Sequence, residues 1–154
     1  MEQLIERASR LFGESTLPGQ YATLICARAS RDGEVSISNA GHPPALFSRG
    51  GQIQPISATE LPLGMFPNQK FSVERLKLES GDALLLYTDG VPDALNTAGH
   101  EYGMTRLIDI TIASGALAPE KLVAQCLADV SDVSAFRQGT APLDDTTIMG
   151  IRRQ

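Results

Sequence analysis

At 154 residues and 42% hydrophobic content, the chain is long enough for one domain with an ordinary core and too apolar to be disordered. Its formal net charge is −5 and its basic residues are scattered, with only Arg152-Arg153 adjacent, which excludes the surface of a nucleic-acid binder. No apolar run reaches membrane-spanning length and Met1-Glu2-Gln3 does not open a secretory signal, so a cytoplasmic protein with no membrane partner is expected.

Leu4, Ile5, Ala8, Leu11 and Phe12 have helical spacing and predict a helix from Glu2 to Phe12. Gly13 to Gln20 reads as a loop with Pro18-Gly19 as its turn. Tyr21 to Ala29 reads as a strand, Arg31-Asp32-Gly33 as a turn and Glu34 to Asn39 as the hairpin partner. Val35 and Ile37 alternate there with Glu34, Ser36 and Ser38, so one face of that strand is expected to be wet. Short strands follow at Ala45 to Ser48 and Gln52 to Ile56, joined by Arg49-Gly50-Gly51. Ser57 to Gln69 is loop-like. Phe71, Val73, Leu76 and Leu78 mark another strand, bulged near Glu74-Arg75. Ala83 to Tyr87 is unbroken apolar sequence, the mark of a strand buried on both faces.

A short helix is predicted from Val91 to Leu95, and a loop from Asn96 to Gly103. Further helices are predicted from Met104 to Ser114 and from Pro119 to about Val133. Leu122, Val123, Cys126, Leu127 and Val130 form the apolar stripe of the last one. Gln138 to Pro142 reads as a polar loop, and Thr146 to Ile151 as a final strand. Strands come first, then helices, then one returning strand, which is an α+β pattern with a mainly antiparallel sheet. Without Trp and with 5% aromatics the core must be mostly aliphatic. Cys26 and Cys126 stand apart in apolar settings and are expected as two buried thiols, with a lone disulfide as the alternative.

Two acids sit at strand ends far apart in sequence. Asp89 closes Ala83-Leu84-Leu85-Leu86-Tyr87-Thr88-Asp89-Gly90, and Asp144 opens Asp144-Asp145-Thr146-Thr147-Ile148-Met149. Acids beside a core need a cation, a hydrogen-bond network or a catalytic task. If the two strands lie side by side, their carboxylates can cluster the oxygens that hard divalent cations require. On these residues alone the metal-ligand reading of Asp89 competes with a turn residue or a helix N-cap before Val91, and the cap is favoured.

Four motifs occur in a recognisable order: Asn39-Ala40-Gly41-His42-Pro43-Pro44, Leu61-Pro62-Leu63-Gly64, Tyr87-Thr88-Asp89-Gly90-Val91 and Asp144-Asp145-Thr146-Thr147. Together they resemble the bacterial PPM-type serine/threonine phosphatases, in the branch of stage II sporulation protein E and the regulator RsbU. The resemblance spans about Tyr21 to Arg152, and Gly99-His100-Glu101-Tyr102-Gly103 resembles the family's following loop. It implies two packed, mainly antiparallel sheets flanked by helices. It also implies a centre of two manganese or magnesium ions whose bridging water attacks phosphoserine or phosphothreonine. It makes Asp89 and Asp144 metal ligands, with Gly90 as backbone support. Asp145, whose neighbour on a strand points to the opposite face, supports the ligands from behind or faces solvent.

The family's earlier Asp-x-x-Gly-His-Gly segment is missing from this sequence. The chain therefore resembles the C-terminal two-thirds of a single phosphatase domain lacking its N-terminal elements. An incomplete metal shell and little activity of the chain by itself are expected. Asp93 reads as a solvated residue, His100 as a surface residue, and His42 as a brace for its own loop. The implied substrate is a phosphorylated signalling protein such as an anti-sigma-factor antagonist. The competing reading is a degenerate phosphatase fold that binds a signalling partner without catalysis. Exposed sheet edges would in either case favour a homo-oligomer.

Overall fold

The computed structural model describes residues 1–115, 117–135 and 144–154, and of residues 131–135 the backbone alone. The loop expected over 138–142 lies outside the described residues. The chain falls into two compact units. One comprises Met1–Pro44 and Ser57–Leu78, the other Ala45–Ile56 and Glu79–Gln154. Each holds one antiparallel sheet, and three helices complete the α+β architecture.

The first unit begins with α1, Glu2–Ser15. The helix runs past Phe12, the end of the predicted span, and Thr16 closes it by donating its hydroxyl to the Phe12 carbonyl at 2.8 Å. Ile5 and Ser9, one turn apart, are buried. The sheet is β1 (Leu24–Ala29), β2 (Glu34–Ala40) and β5 (Glu74–Lys77), in the order β1-β2-β5. The expected hairpin forms, with Cys26 opposite Ser38. Its turn closes through the Gly33 amide on the Ser30 carbonyl at 3.0 Å. Val35 and Ile37 are buried, but Ser38 is buried too, so β2 does not have the fully wet face that its alternation suggested.

Two of the motifs dock on one another in this unit. Gly41 has φ +69°, and a Cβ there would lie 2.5 Å from the Pro62 ring. Asn39, itself buried, receives the Thr59 and Glu60 amides on its carbonyl. Leu63 exchanges backbone bonds with Ala22, and Gly64 donates its amide to the Ser9 hydroxyl at 3.2 Å. The core is Ile5, Ala40, Leu63 and Phe71, with Phe12, Leu24 and Cys26 against it. Ala22 and Thr23 precede the strand, Ala22 pairing with Leu63 and the Thr23 hydroxyl with the His42 ring. Phe71 likewise lies outside β5 and serves the core.

The second unit is built on β3 (Ala45–Arg49), β4 (Gln52–Ile56), β6 (Ala83–Tyr87) and β7 (Ile148–Arg152), in the order β4-β3-β6-β7. β6 is central and nearly wholly buried, as its apolar run requires. Helices α2 (Met104–Ala113) and α3 (Pro119–Ala135) belong to the same unit. Leu122, Cys126 and Val130 of α3 join Leu46, Leu85, Tyr87 and Leu107 in one core. α3 packs on β7 at Gly150, where a Cβ would meet Val123 at 3.2 Å. Leu127, expected in the stripe, is exposed. Arg49 pairs with Asp82 at 2.5 Å, and the Asp82 carboxylate also accepts the Glu79 amide at 2.7 Å.

Both cysteines are free. Cys126 is fully buried, and burial raises its thiol pKa. Cys26 is half-buried and not enclosed as expected.

Candidate functional site

The site is assembled by the antiparallel pairing of β6 and β7. The register runs from Ala83 opposite Arg152 to Tyr87 opposite Ile148. Continued by one residue, it sets Thr88 against Thr147, and the Thr88 amide donates to the Thr147 carbonyl at 3.1 Å. The ladder stops there because the Thr88 carbonyl turns to accept the Val91 amide at 3.0 Å. The Thr88 hydroxyl substitutes for it. It accepts the Thr147 amide at 2.9 Å and donates to the Asp145 carbonyl at 2.8 Å. From the other strand, the Thr146 hydroxyl donates to the Gly90 carbonyl at 3.3 Å.

These bonds clamp Asp89-Gly90 against Asp144-Asp145. A Cβ on Gly90 would lie 2.5 Å from the Asp145 carbonyl oxygen and 3.3 Å from that of Asp144. Only glycine permits this approach. Asp89, Asp144 and Asp145 are all exposed. Asp89 accepts the Gly90 amide on Oδ1 at 3.1 Å, and Asp144 accepts the Asp145 amide on Oδ1 at 2.7 Å. The structure thus gathers all four sequence-selected residues at one end of one strand pair.

The helix expected from Val91 to Leu95 is a single turn. The Asp93 amide reaches the Asp89 carbonyl at 2.9 Å, but the Pro92 and Ala94 carbonyls are taken by the returning loop. The Gly103 amide bonds to Pro92 at 2.8 Å and the Tyr102 amide to Ala94 at 2.7 Å. Tyr102 in turn donates its hydroxyl to Asp129 on α3 at 2.5 Å, and Arg106 on α2 grips that carboxylate with two 2.9 Å bonds. The Arg106 hydrogen bond, joined by the one from Tyr102, lowers the Asp129 pKa against the effect of its partial burial. Burial first, then Asp129, drives the Tyr102 pKa far up.

The His42 ring bonds to the Thr23 hydroxyl at 3.2 Å, and the Asn39 side chain takes the His42 amide at 2.9 Å. His100 is exposed, and its amide bonds to Asn96. Asp93 is exposed. Thr88 and Thr146 are the residues that sequence reasoning missed. Their signal was present, because each motif pairs its acid with a threonine.

Carboxylate oxygens suit a hard divalent cation. Asp89 and Asp144 supply one carboxylate each, and the Gly90 cradle brings their backbones together. The donor chemistry fits such an ion. The number of donors leaves its shell to be completed from elsewhere, since among the described residues no group of three or more His, Cys, Asp or Glu could hold a metal. No described helix is long and apolar enough to cross a membrane.

Comparison with known proteins gives a consistent result. The family model of stage II sporulation protein E (SpoIIE) matches residues 1–154. Protein IcfG of Synechocystis is 31% identical over 125 residues, 79% of this chain and 19% of that protein. Phosphoserine phosphatase RsbP of Bacillus subtilis is 35% identical over 95 residues, 60% of this chain and 24% of that protein. The chain thus spans about a fifth to a quarter of the length of these relatives. Among solved structures, the SiaA-PP2C domain of Pseudomonas aeruginosa aligns with a TM-score of 0.79 at 19% identity, covering 99% of this chain and 60% of that one. The phosphatase domain of SpoIIE from Bacillus subtilis, in a crystal form without domain swapping, aligns with a TM-score of 0.68 at 21% identity, covering 99% and 65%. The fold is shared with both.

Proposed function

Since the chain belongs to the SpoIIE branch of the PPM-type phosphatase family, we propose that it carries part of a metal-dependent phosphoserine/phosphothreonine phosphatase site. The observation that supports this most directly is the clamp of Thr88, which holds Asp89-Gly90 against Asp144-Asp145 at the end of β6 and β7. In this reading Asp89 and Asp144 each lend a carboxylate to manganese or magnesium. A bound divalent ion would supply Lewis-acid stabilisation of the phosphoryl oxygens and a water of lowered pKa. The chain's own residues do the positioning. Gly90 removes the side chain that would hold the two segments apart. Thr88 and Thr146 fix their register. Asp145 supports Asp144 through its amide. The proposed substrate is a phosphorylated signalling protein, of the anti-sigma-factor-antagonist kind.

The test is manganese-dependent hydrolysis of a phosphoserine protein by two chains. One is the 154-residue chain, and the other is a version extended upstream with an Asp-x-x-Gly-His-Gly segment. The extended chain is expected to turn over and to lose activity with Asp89→Asn or Asp144→Asn. The short chain is expected to be slower by orders of magnitude, because metal-assisted transfer depends on a complete, positioned shell. If the extended chain is inactive on every phosphoprotein tried, the second reading takes over, a phosphatase fold that binds a partner without catalysis.

A further inference from the structure

The first unit contains a cavity of 770 Å³ between α1 and the loop that follows Leu63. It shares no residue with the Asp89–Asp144 cluster. Along α1 it extends from Gln3 to Glu14. Eleven helical steps give a groove of about 16 Å. That length matches about five residues of extended chain, and exceeds what a lone phosphate or other small anion would fill.

Its walls carry several unsettled features. Arg7 and Arg10, one helical turn apart, both line it. Neither guanidinium has an ion pair or hydrogen bond among the described residues. Lys70 on the facing loop is by contrast paired with Glu6 at 3.2 Å. The groove therefore presents two exposed arginines, with Glu6 held by Lys70 and Glu14 at its far end, in a chain whose net charge is −5. Phe66 lies 55% exposed on the loop wall, beside Pro67. Asn68 has φ +59°, the only positive φ of a non-glycine residue among the described ones. Gln69 donates its amide to the Leu61 carbonyl at 2.6 Å but keeps an enclosed Oε1 without a donor. Sparsely populated backbone and unpaired buried polar atoms carry a cost, and such costs concentrate where a surface is kept for binding.

We infer that this groove is a docking site for an extended acidic peptide segment of a protein partner. Carboxylates of the segment meet Arg7 and Arg10, for which a planar guanidinium is the better-suited donor. An apolar side chain of the segment covers Phe66 and Pro67. The length, the paired arginines and the apolar wall together select a peptide of mixed acidic and apolar character over a small anion.

The experiment uses the whole 154-residue chain. A displayed library of random hexapeptides is selected on it, with counter-selection on the Arg7→Glu/Arg10→Glu double variant. The selected peptide is then measured by fluorescence anisotropy. Acidic hexapeptides containing at least one apolar residue are expected to be enriched. Affinity should fall at least about tenfold in the milder Arg7→Ala/Arg10→Ala variant, fall again with Phe66→Ala, and weaken between about 0.05 and 0.3 M salt. Asp89→Asn should leave it unchanged. Both arginines are exposed, and matching thermal unfolding curves would exclude a folding defect as the cause of lost binding. Three outcomes overturn the inference. The library could yield nothing above the double variant, or basic or neutral sequences, or peptides whose affinity does not depend on Arg7 and Arg10.

Discussion

Gly90 and Asp145 are in direct backbone contact. A Cβ added to Gly90 would come 2.5 Å from the Asp145 carbonyl oxygen, closer than real Cβ contacts allow. The obstacle is backbone on a strand end tied by Thr88, so it cannot swing aside like a side-chain tip. Gly90→Ala is expected to destabilise the chain by about 1–3 kcal/mol through overpacking. Urea unfolding checks the loss, and Gly150→Ala, with a 3.2 Å contact to a movable Val123 side chain, should cost less.

The metal reading predicts weak binding. Two aspartates and solvent should hold manganese with far lower affinity than a complete shell, since ligand number and charge set such affinities. Titration calorimetry should show one weak event, absent in Asp89→Asn and in Asp144→Asn. Tight binding of two ions, untouched by either change, would remove Asp89 and Asp144 from consideration.

Stability should fall in acid. In the folded chain the Asp129 pKa is lowered by Arg106 and Tyr102, and the Asp82 pKa is lowered because Arg49 and the Glu79 amide outweigh burial. A depressed carboxylate stabilises the fold above its unfolded pKa of about 4, and that contribution is lost as pH falls through the folded value. Thermal midpoints should therefore drop below about pH 4, and Asp129→Asn should flatten that slope while costing about 1–2 kcal/mol at neutral pH. At the alkaline end the sign reverses. Tyr87 is pushed up to about 12 by burial, so above about pH 10 the unfolded chain gives up a phenolic proton that the folded chain keeps, and stability falls.

The docking of the Asn39 and Leu61 motifs can be tested at one atom. Gly41 needs its positive φ and has Pro62 at 2.5 Å from any Cβ. Gly41→Ala combines backbone strain with a clash and should cost about 2–4 kcal/mol. Gly19→Ala has the same sign of φ but open space around it, so it isolates the strain component.

Among the described residues β1 is an edge strand of its sheet, with Leu24, Ile25, Cys26 and Ala27 all half-exposed. Such an edge invites pairing with another chain. Light scattering over a dilution series should show a concentration-dependent dimer or larger species, and a clean monomer at micromolar concentration would contradict this.

Much of the fold was legible because periodicity and turn chemistry agree. The Arg31-Asp32-Gly33 turn, the alternation of Val35 and Ile37 and the solid apolar run of β6 each specify one local answer. What failed was decided by distant partners. The Val91 turn does not become a helix because Pro92 and Ala94 give their carbonyls to Gly103 and Tyr102, a choice no local window contains. Ala22 and Thr23 look like strand but answer to Leu63 and His42. In the candidate site the acids were legible as polar residues on apolar strands. Thr88 showed there only as a threonine beside an acid, and its role as a clamp depends on a register between residues almost sixty positions apart.

The two free cysteines give each unit its own clock. A thiol reacts as its thiolate and only when a reagent can touch it. Cys126 lies at 0% exposure in the core of the second unit, with its pKa raised. It stays silent to an alkylating reagent at neutral pH until that core opens. Cys26 sits half-open on the first unit and answers to opening there. One reagent, read out separately at the two positions, would time the opening of each half of a single chain and show whether they melt together.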